Sequence, residues 1–319
     1  NHCFNFTANA DSSSVTGIHI RNFWASNGIM IFTGNIKIKD CMVWNSGGQE
    51  TGYPWRDMGI YIAGPNAIIQ GNIIGTDLTG TQNYNCTGGA VYVQKQWLPA
   101  DNCLIGGSGL HESNLIAFNG WPGITIDNAK YNKITRNRIY NNGGGINLIL
   151  LAGPTSWGNE GKPTPVIDTL TSTGILSGTA QPNDIIEIFG SSGVQNANEY
   201  VTTTTADGFG NWTVVMSSFD QHYFIATATD AANNTSELSN VFEITIAPIS
   251  LSFSVIDASC NGAGDGSAGV NVSGGLTPYS YLWNNGQTNS NIEGLEAGDY
   301  TVTVTDSINN IAFDTVVIN

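Results

Sequence analysis

Apolar residues in the first half of the chain recur with a period of two and in one short phrase. Gly-Ile-x-Ile or a near copy stands at Gly59-Ile60-Tyr61-Ile62, Gly89-Ala90-Val91-Tyr92-Val93, Gly123-Ile124-Thr125-Ile126 and Gly145-Ile146-Asn147-Leu148. A second phrase runs between the copies: Asn66, Ile68, Gly71, Ile73 and Gly75 align with Asn132, Ile134, Asn137, Ile139 and Asn141, with a looser copy at Ile36, Ile38, Cys41, Val43 and Asn45. Each unit is two or three short strands parted by Gly and Asn. It is too small to bury its own apolar face, so neighbours must stack. The pattern predicts a solenoid of parallel strands over residues 15–150, rising roughly 4.8 Å per rung and right-handed, as parallel crossovers nearly always are. Ile60, Ile62, Ile68, Ile73, Ile124, Ile126, Ile134, Ile139 and Ile146 are its expected interior.

The repeat stops after Leu148, and residues 152–165, rich in Gly, Pro, Ser and Asn, read as a linker. Seven short alternating segments follow, at 165–167, 175–178, 185–189, 200–202, 212–215, 224–228 and 241–244. That spacing predicts a β-sandwich with Trp212 in its core. Pro248 marks the next boundary. The expected division is therefore 1–162, 163–247 and 248–319, all β: a parallel β-helix followed by two Ig-like sandwiches.

Three stretches resemble known families. Ile68-Ile69-Gln70-Gly71-Asn72-Ile73-Ile74-Gly75-Thr76-Asp77-Leu78-Thr79-Gly80-Thr81, with Asn102 to Gly107 and Asn114 to Asn119, resembles the right-handed parallel β-helix repeat proteins. This implies a fold and leaves the activity open, since lyases, hydrolases, tailspikes and adhesins share it. The run Ser177 to Asp184 with Glu187-Ile188-Phe189, Asp207 to Trp212 and Ala226 to Asp230 resembles the Ig-like domains of bacterial surface proteins. From Cys260 through Tyr279-Ser280-Tyr281-Leu282-Trp283 to Asp306 the chain resembles the SprB-type repeat of Bacteroidetes gliding adhesins. That resemblance implies export to the cell surface, by type IX secretion. The second Cys usual after the Thr-Asp is absent here, where Asp306 leads into Ser307-Ile308-Asn309. The first rung starts close to Asn1, so upstream residues are expected, and more chain after Asn319.

Charge divides the chain unevenly. Residues 1–162 carry all ten Lys and Arg against nine acids, whereas residues 163–319 hold sixteen acids and no base. Such an acidic half repels nucleic acid and anionic membranes, and no window is apolar enough to span a membrane. It also leaves no Lys for Lys–Asn isopeptide crosslinks within that half, and no trypsin site beyond Lys162. The acidity fits a solvated surface; Ca²⁺ between domains is the sharper alternative, with no other cofactor expected. Cys3, Cys41, Cys86, Cys103 and Cys260 have no metal-ligand spacing, and Cys41 and Cys103 read as small apolar stacking residues.

Catalysis on a solenoid of this kind needs carboxylates gathered on adjacent rungs. The positions after each Gly-Ile-x-Ile phrase are Ala63, Gln94, Asp127 and Ile149, with one acid among four. Arg56 and Asp57, in a long loop, are the residual catalytic candidates. Aromatic side chains beside Pro or Gly stack well on sugar rings, which makes Tyr53, Trp55, Trp97 and Trp121 the ligand-binding candidates. The Bacteroidetes resemblance adds O-glycosylation of Asp-(Ser/Thr)-aliphatic triplets, here at Thr169, Ser307 and Thr315. Together these observations point to a segment of a secreted surface adhesin, binding glycan or a partner protein or serving as stalk. A polysaccharide lyase or hydrolase with Ig-like spacers, and a filament subunit that self-associates through the β-helix end, are the rivals.

Overall fold

The computed structural model describes residues 4–7, 10, 12–23, 27–46, 57–95, 99–149, 158–193, 195–216, 223–260 and 262–319. Among these residues it is built of strands, with one short 3-10 turn at Gly158–Gly161. The chain divides into two compact units: Asn1–Asp168, Ser177–Val214 and Gln221–Glu243 in one, Thr169–Leu176, Val215–Asp220 and Ile244–Asn319 in the other.

Three parallel sheets form the coil. The first pairs Phe4–Phe6, Ile29–Ile31, Ile60–Ile62, Val91–Gln94, Pro122–Asp127 and Gly144–Ile149 in that order. The second pairs Ser14–Thr16, Lys37–Lys39, Ile68–Gln70, Leu104–Gly106 and Lys133–Thr135; the third pairs His19–Phe23, Met42–Ser46, Ile73–Ile74, Leu115–Ala117 and Arg138–Tyr140. Register stacks like on like. Ile29, Ile60, Val91, Ile124 and Ile146 form one inward column, and Ile31, Ile62, Val93, Ile126 and Leu148 the next. Val15, Ile38, Ile69, Ile105 and Ile134 line the second sheet, and Ile20, Val43, Ile74, Ile116 and Ile139 the third. All are buried, each contributing roughly 1.5–3 kcal/mol relative to exposure.

Two expected interior residues are corrected. Ile68 and Ile73 are half-buried and point outward; Ile69 and Ile74 take the inward positions. Ile68 pairs in register with Lys37 and with Leu104, the partner of Lys133, so the second phrase is shifted by one residue from the alignment drawn on the sequence. A one-residue shift exchanges the two faces of a strand.

The glycine of the Gly-Ile-x-Ile phrase has a packing cause. A Cβ on Gly59 would lie 2.8 Å from the Ala90 carbonyl oxygen of the next rung, and one on Gly89 2.7 Å from that of Pro122. At the second corner, buried asparagines bridge rungs. Asn72, Asn114 and Asn137 form a ladder in which Asn114 Nδ2 donates to Ile69 O (2.8 Å) and Asn137 Oδ1 (2.8 Å), while Asn114 Oδ1 accepts from the Asn72 N–H (2.9 Å). Buried amides and carbonyls that no strand pairs are thereby satisfied. Cys41 and Cys103 lie buried in the coil core, and the Cys103 thiol is pushed up to about 12, chiefly by burial.

All seven segments expected after the coil are strands. Val166–Leu170, Ile175–Thr179 and Asn211–Val215 make one sheet; Glu199–Thr205, Ile185–Ser191, Tyr223–Thr229 and Phe242–Glu243 make the other, in that order. Trp212 is buried.

This sandwich closes the end of the coil. The strands of the last rung have no further rung to accept their N–H groups, and side chains of the sandwich take that place. Tyr131 N–H donates to Asn234 Oδ1 (2.7 Å), Ile134 N–H to Thr235 Oγ1 (3.0 Å), Arg136 N–H to Glu187 Oε2 (3.0 Å), Asn141 N–H to Asn196 Oδ1 (2.9 Å) and Leu148 N–H to Glu237 Oε1 (2.7 Å). Residues 158–162, read on the sequence as part of a linker, belong to this closure. Asn159, fully buried with φ 45°, accepts from the Asn132 N–H (3.0 Å) and donates to Asn132 O (2.7 Å) and Thr235 O (2.9 Å). Phe189, Ala197, Ile225 and Leu238 of the sandwich join the apolar core of the coil. The void left at this seam is about 10 Å³, at the limit for one water. An open solenoid end would expose unpaired edges and core.

The second unit contains two three-stranded antiparallel sheets, Ser250–Ile256, Gly266–Ser273 and Asn291–Leu295, and Ser280–Trp283, Gly298–Thr305 and Ile311–Ile318. They enclose Trp283, Val270, Ile292, Leu295, Val302, Val304 and Ile318. Trp283 Nε1 donates to Asn289 O at 2.9 Å, so the buried indole leaves no open donor.

Candidate functional site

The outer face of the first sheet carries the positions after each Gly-Ile-x-Ile phrase, where the sequence offers one acid among four. Gln94 pairs in register with Asp127, and Asp127 with Ile149. Tyr61 and Tyr92, also outward, stack at 6.0 Å with their planes 8° apart. Tyr61 hydroxyl donates to Gln94 Oε1 (2.7 Å); Gln94 Nε2 (2.8 Å) and the Tyr92 hydroxyl (2.9 Å) both donate to Asp127 Oδ2. All four side chains are buried. Burial, and then the Asp127 charge, hold both tyrosine hydroxyls above their ordinary range, so they remain donors. The arrangement is a closed polar chain that fixes two aromatic plates against the sheet. The lone acid of the column is a hydrogen-bond acceptor within it.

Of the candidates read from sequence, Tyr53, Trp55, Arg56 and Trp97 lie outside the described residues. Asp57 is described, half-buried, with φ 71°. Trp121 directly precedes the strand Pro122–Asp127 and is 43% exposed, with its N–H on Gly88 O. Thr169, Ser307 and Thr315 are exposed, and the Thr315 hydroxyl bonds that of Thr301 at 2.8 Å. Cys260 is an exposed free thiol. Among the described residues, no three His, Cys, Asp or Glu side chains converge on a metal-sized site.

Sequence reasoning missed an aromatic row on the third sheet. Trp44 pairs in register with Arg21, one position on from the inward Val43. Its ring lies 6.2 Å from that of His19 and 4.9 Å from that of Tyr84, whose side chain reaches over from the loop after Ile73–Ile74. His19, Arg21 and Tyr84 are exposed and Trp44 is half-exposed. Flat apolar rings bordered by a guanidinium and hydrogen-bonding edges suit a sugar ring and its hydroxyls. The signal was available in the alternation, since Trp44 follows an inward residue.

Comparison with known proteins bears on the second unit. Residues 252–288 match the SprB repeat family. That match covers the strands Gly266–Ser273 and Ser280–Trp283 and most of Ser250–Ile256. No curated protein matches the sequence. Among solved structures, the chain is similar to the BSP domain of a biofilm-associated protein (14% identity, TM-score 0.21, covering 49% of this chain and 29% of that one). It is also similar to a tetra-tandem repeat from the extending region of a large adhesion protein (21%, 0.20, 49% and 48%) and to an amphioxus IgVJ-C2 molecule (10%, 0.21, 47% and 99%). The chain thus spans less than half the length of either adhesion-related structure. No helix among the described residues is long and apolar enough to cross a membrane.

Proposed function

We propose that this chain is a stretch of a secreted cell-surface adhesin or structural surface protein of the Bacteroidetes type. The capped β-helix displays a glycan- or partner-binding face, and the SprB repeat belongs to the array that carries it. The SprB match at residues 252–288 is the observation that carries this reading. The aromatic row of His19, Trp44 and Tyr84 supports a glycan as the ligand, with Trp121 a second exposed ring. Asp127, held by Tyr92 and Gln94, leaves the lyase or hydrolase reading without an accessible acid in that column.

A glycan array probed with the full chain, alongside a depolymerisation screen on the glycans retained, tests this. Saturable binding without product, weakened at least tenfold by Trp44→Ala, is the expected result. Cleavage of a retained polysaccharide would replace the adhesin reading with the enzyme.

A further inference from the structure

The last base of the chain is Lys162. Its Nζ lies 2.7 Å from Asp184 Oδ1, with the two side chains 3% and 2% exposed. The ammonium also donates to Gln181 Oε1 at 2.9 Å, whereas Asp184 Oδ2 is buried without a hydrogen-bond partner. Lys162 directly follows the Gly158–Gly161 turn that closes the coil, and Asp184 directly precedes the strand Ile185–Ser191 of the sandwich. A buried ion pair with an unsatisfied oxygen is a costly resting state, because desolvation is repaid only when every lone pair and proton is matched. Lys162 also faces a cleft of about 400 Å³ whose wall includes Glu160 and Glu237.

We propose that Lys162 and Asp184 condense to an intramolecular isopeptide bond that ties the end of the coil to the sandwich. In the dry pair a proton passes from Nζ to the carboxylate, leaving a neutral amine and a carboxylic acid. The amine lone pair attacks Asp184 Cγ. The carboxyl hydroxyl leaves as water with a second Nζ proton, so one N–H remains on the new amide. Charge and atoms balance, ammonium plus carboxylate giving amide plus water, and no oxidant or co-reactant is needed. Contact between the reacting groups supplies the high effective concentration such a step requires. The cleft beside Lys162 gives the released water a way out. The product removes both charges from the interior. The crosslink would also hold the closure under load, a property of use to the surface protein proposed above, although its chemistry is independent of that reading.

Intact-mass measurement of the denatured full chain is the test. The expected mass is about 18 Da below that of the sequence, the mass of one water, and digestion should yield a branched peptide joining Lys162 to Asp184. Lys162→Arg and Asp184→Ala should each have the mass of their own sequences. A wild-type chain at full mass overturns the proposal. A mass loss accompanied by linear peptides containing intact Lys162 and Asp184, as an Asp-derived succinimide elsewhere would give, overturns it equally.

Discussion

Ile139 in the last rung and Ala197 in the sandwich exchange both backbone hydrogen bonds, each 2.7 Å, as a single antiparallel bridge. A parallel coil thus ends by pairing with an antiparallel partner, and side chains of the sandwich answer the remaining amides. Coil and sandwich share one core, and their stabilities should be coupled.

Glu187 tests that coupling at one side chain. Its buried carboxylate accepts from the Thr135 hydroxyl and the Arg136 N–H, and lies 3.8 Å from Arg136 Nε. Glu187→Ala strands two donors of the last rung, at a cost of about 2–4 kcal/mol. Chemical denaturation should show the loss in the coil as well as in the sandwich, with Glu187→Gln recovering part of it.

Within the coil, Asn114 is bonded to the rungs on both sides. Asn114→Ala removes the Asn72 N–H acceptor and leaves Ile69 O without its donor. We expect a loss of about 3 kcal/mol in the same transition.

The phrase glycines predict a sharper steric effect. Gly89→Ala places a methyl 2.7 Å from Pro122 O, which is backbone and cannot swing aside. Destabilisation of about 2 kcal/mol is expected. The same change at Gly208, where a Cβ meets nothing within 4 Å, should be nearly neutral.

Acid should weaken the second unit. Burial pushes the Asp306 carboxyl up, but backbone N–H groups of Asn310, Leu276 and Ile308 together outweigh it and leave the group below its ordinary value. A carboxyl depressed in the folded state contributes stability that is full above the unfolded value, about 3.9, and is lost as pH falls through the folded one. Stability of this unit should therefore hold from pH 7 to about 5 and decline below about 4. Asp306→Asn should lower it at pH 7 and shrink the acid-dependent loss, as thermal melts across that range would show.

The fold was legible because period-two alternation and a phrase with a steric reason for its glycine survive in the sequence. Legibility failed where the chemistry is ambiguous. Ile68-Ile69 and Ile73-Ile74 are apolar pairs, and alternation cannot say which member faces in; register decides it, setting Ile68 beside Lys37 and Leu104 and Ile73 beside Met42 and Leu115. Gly28-Ile29-Met30-Ile31 is a full copy of the phrase, and its signal was available. The closure of the coil could not be read, because Asn234, Thr235 and Glu237 stand roughly ninety to one hundred residues from the amides they satisfy and look like any polar loop. Trp44 needed its sheet before its neighbours could be named.

Native-state hydrogen exchange on the full chain tests the central claim, that coil end and sandwich are one cooperative body. The amides of Ile134, Ile139 and Leu148 should exchange with the same opening free energy and denaturant dependence as that of Ala197. Sandwich amides that open at lower free energy while those of Ile134 and Ile139 stay protected would contradict it.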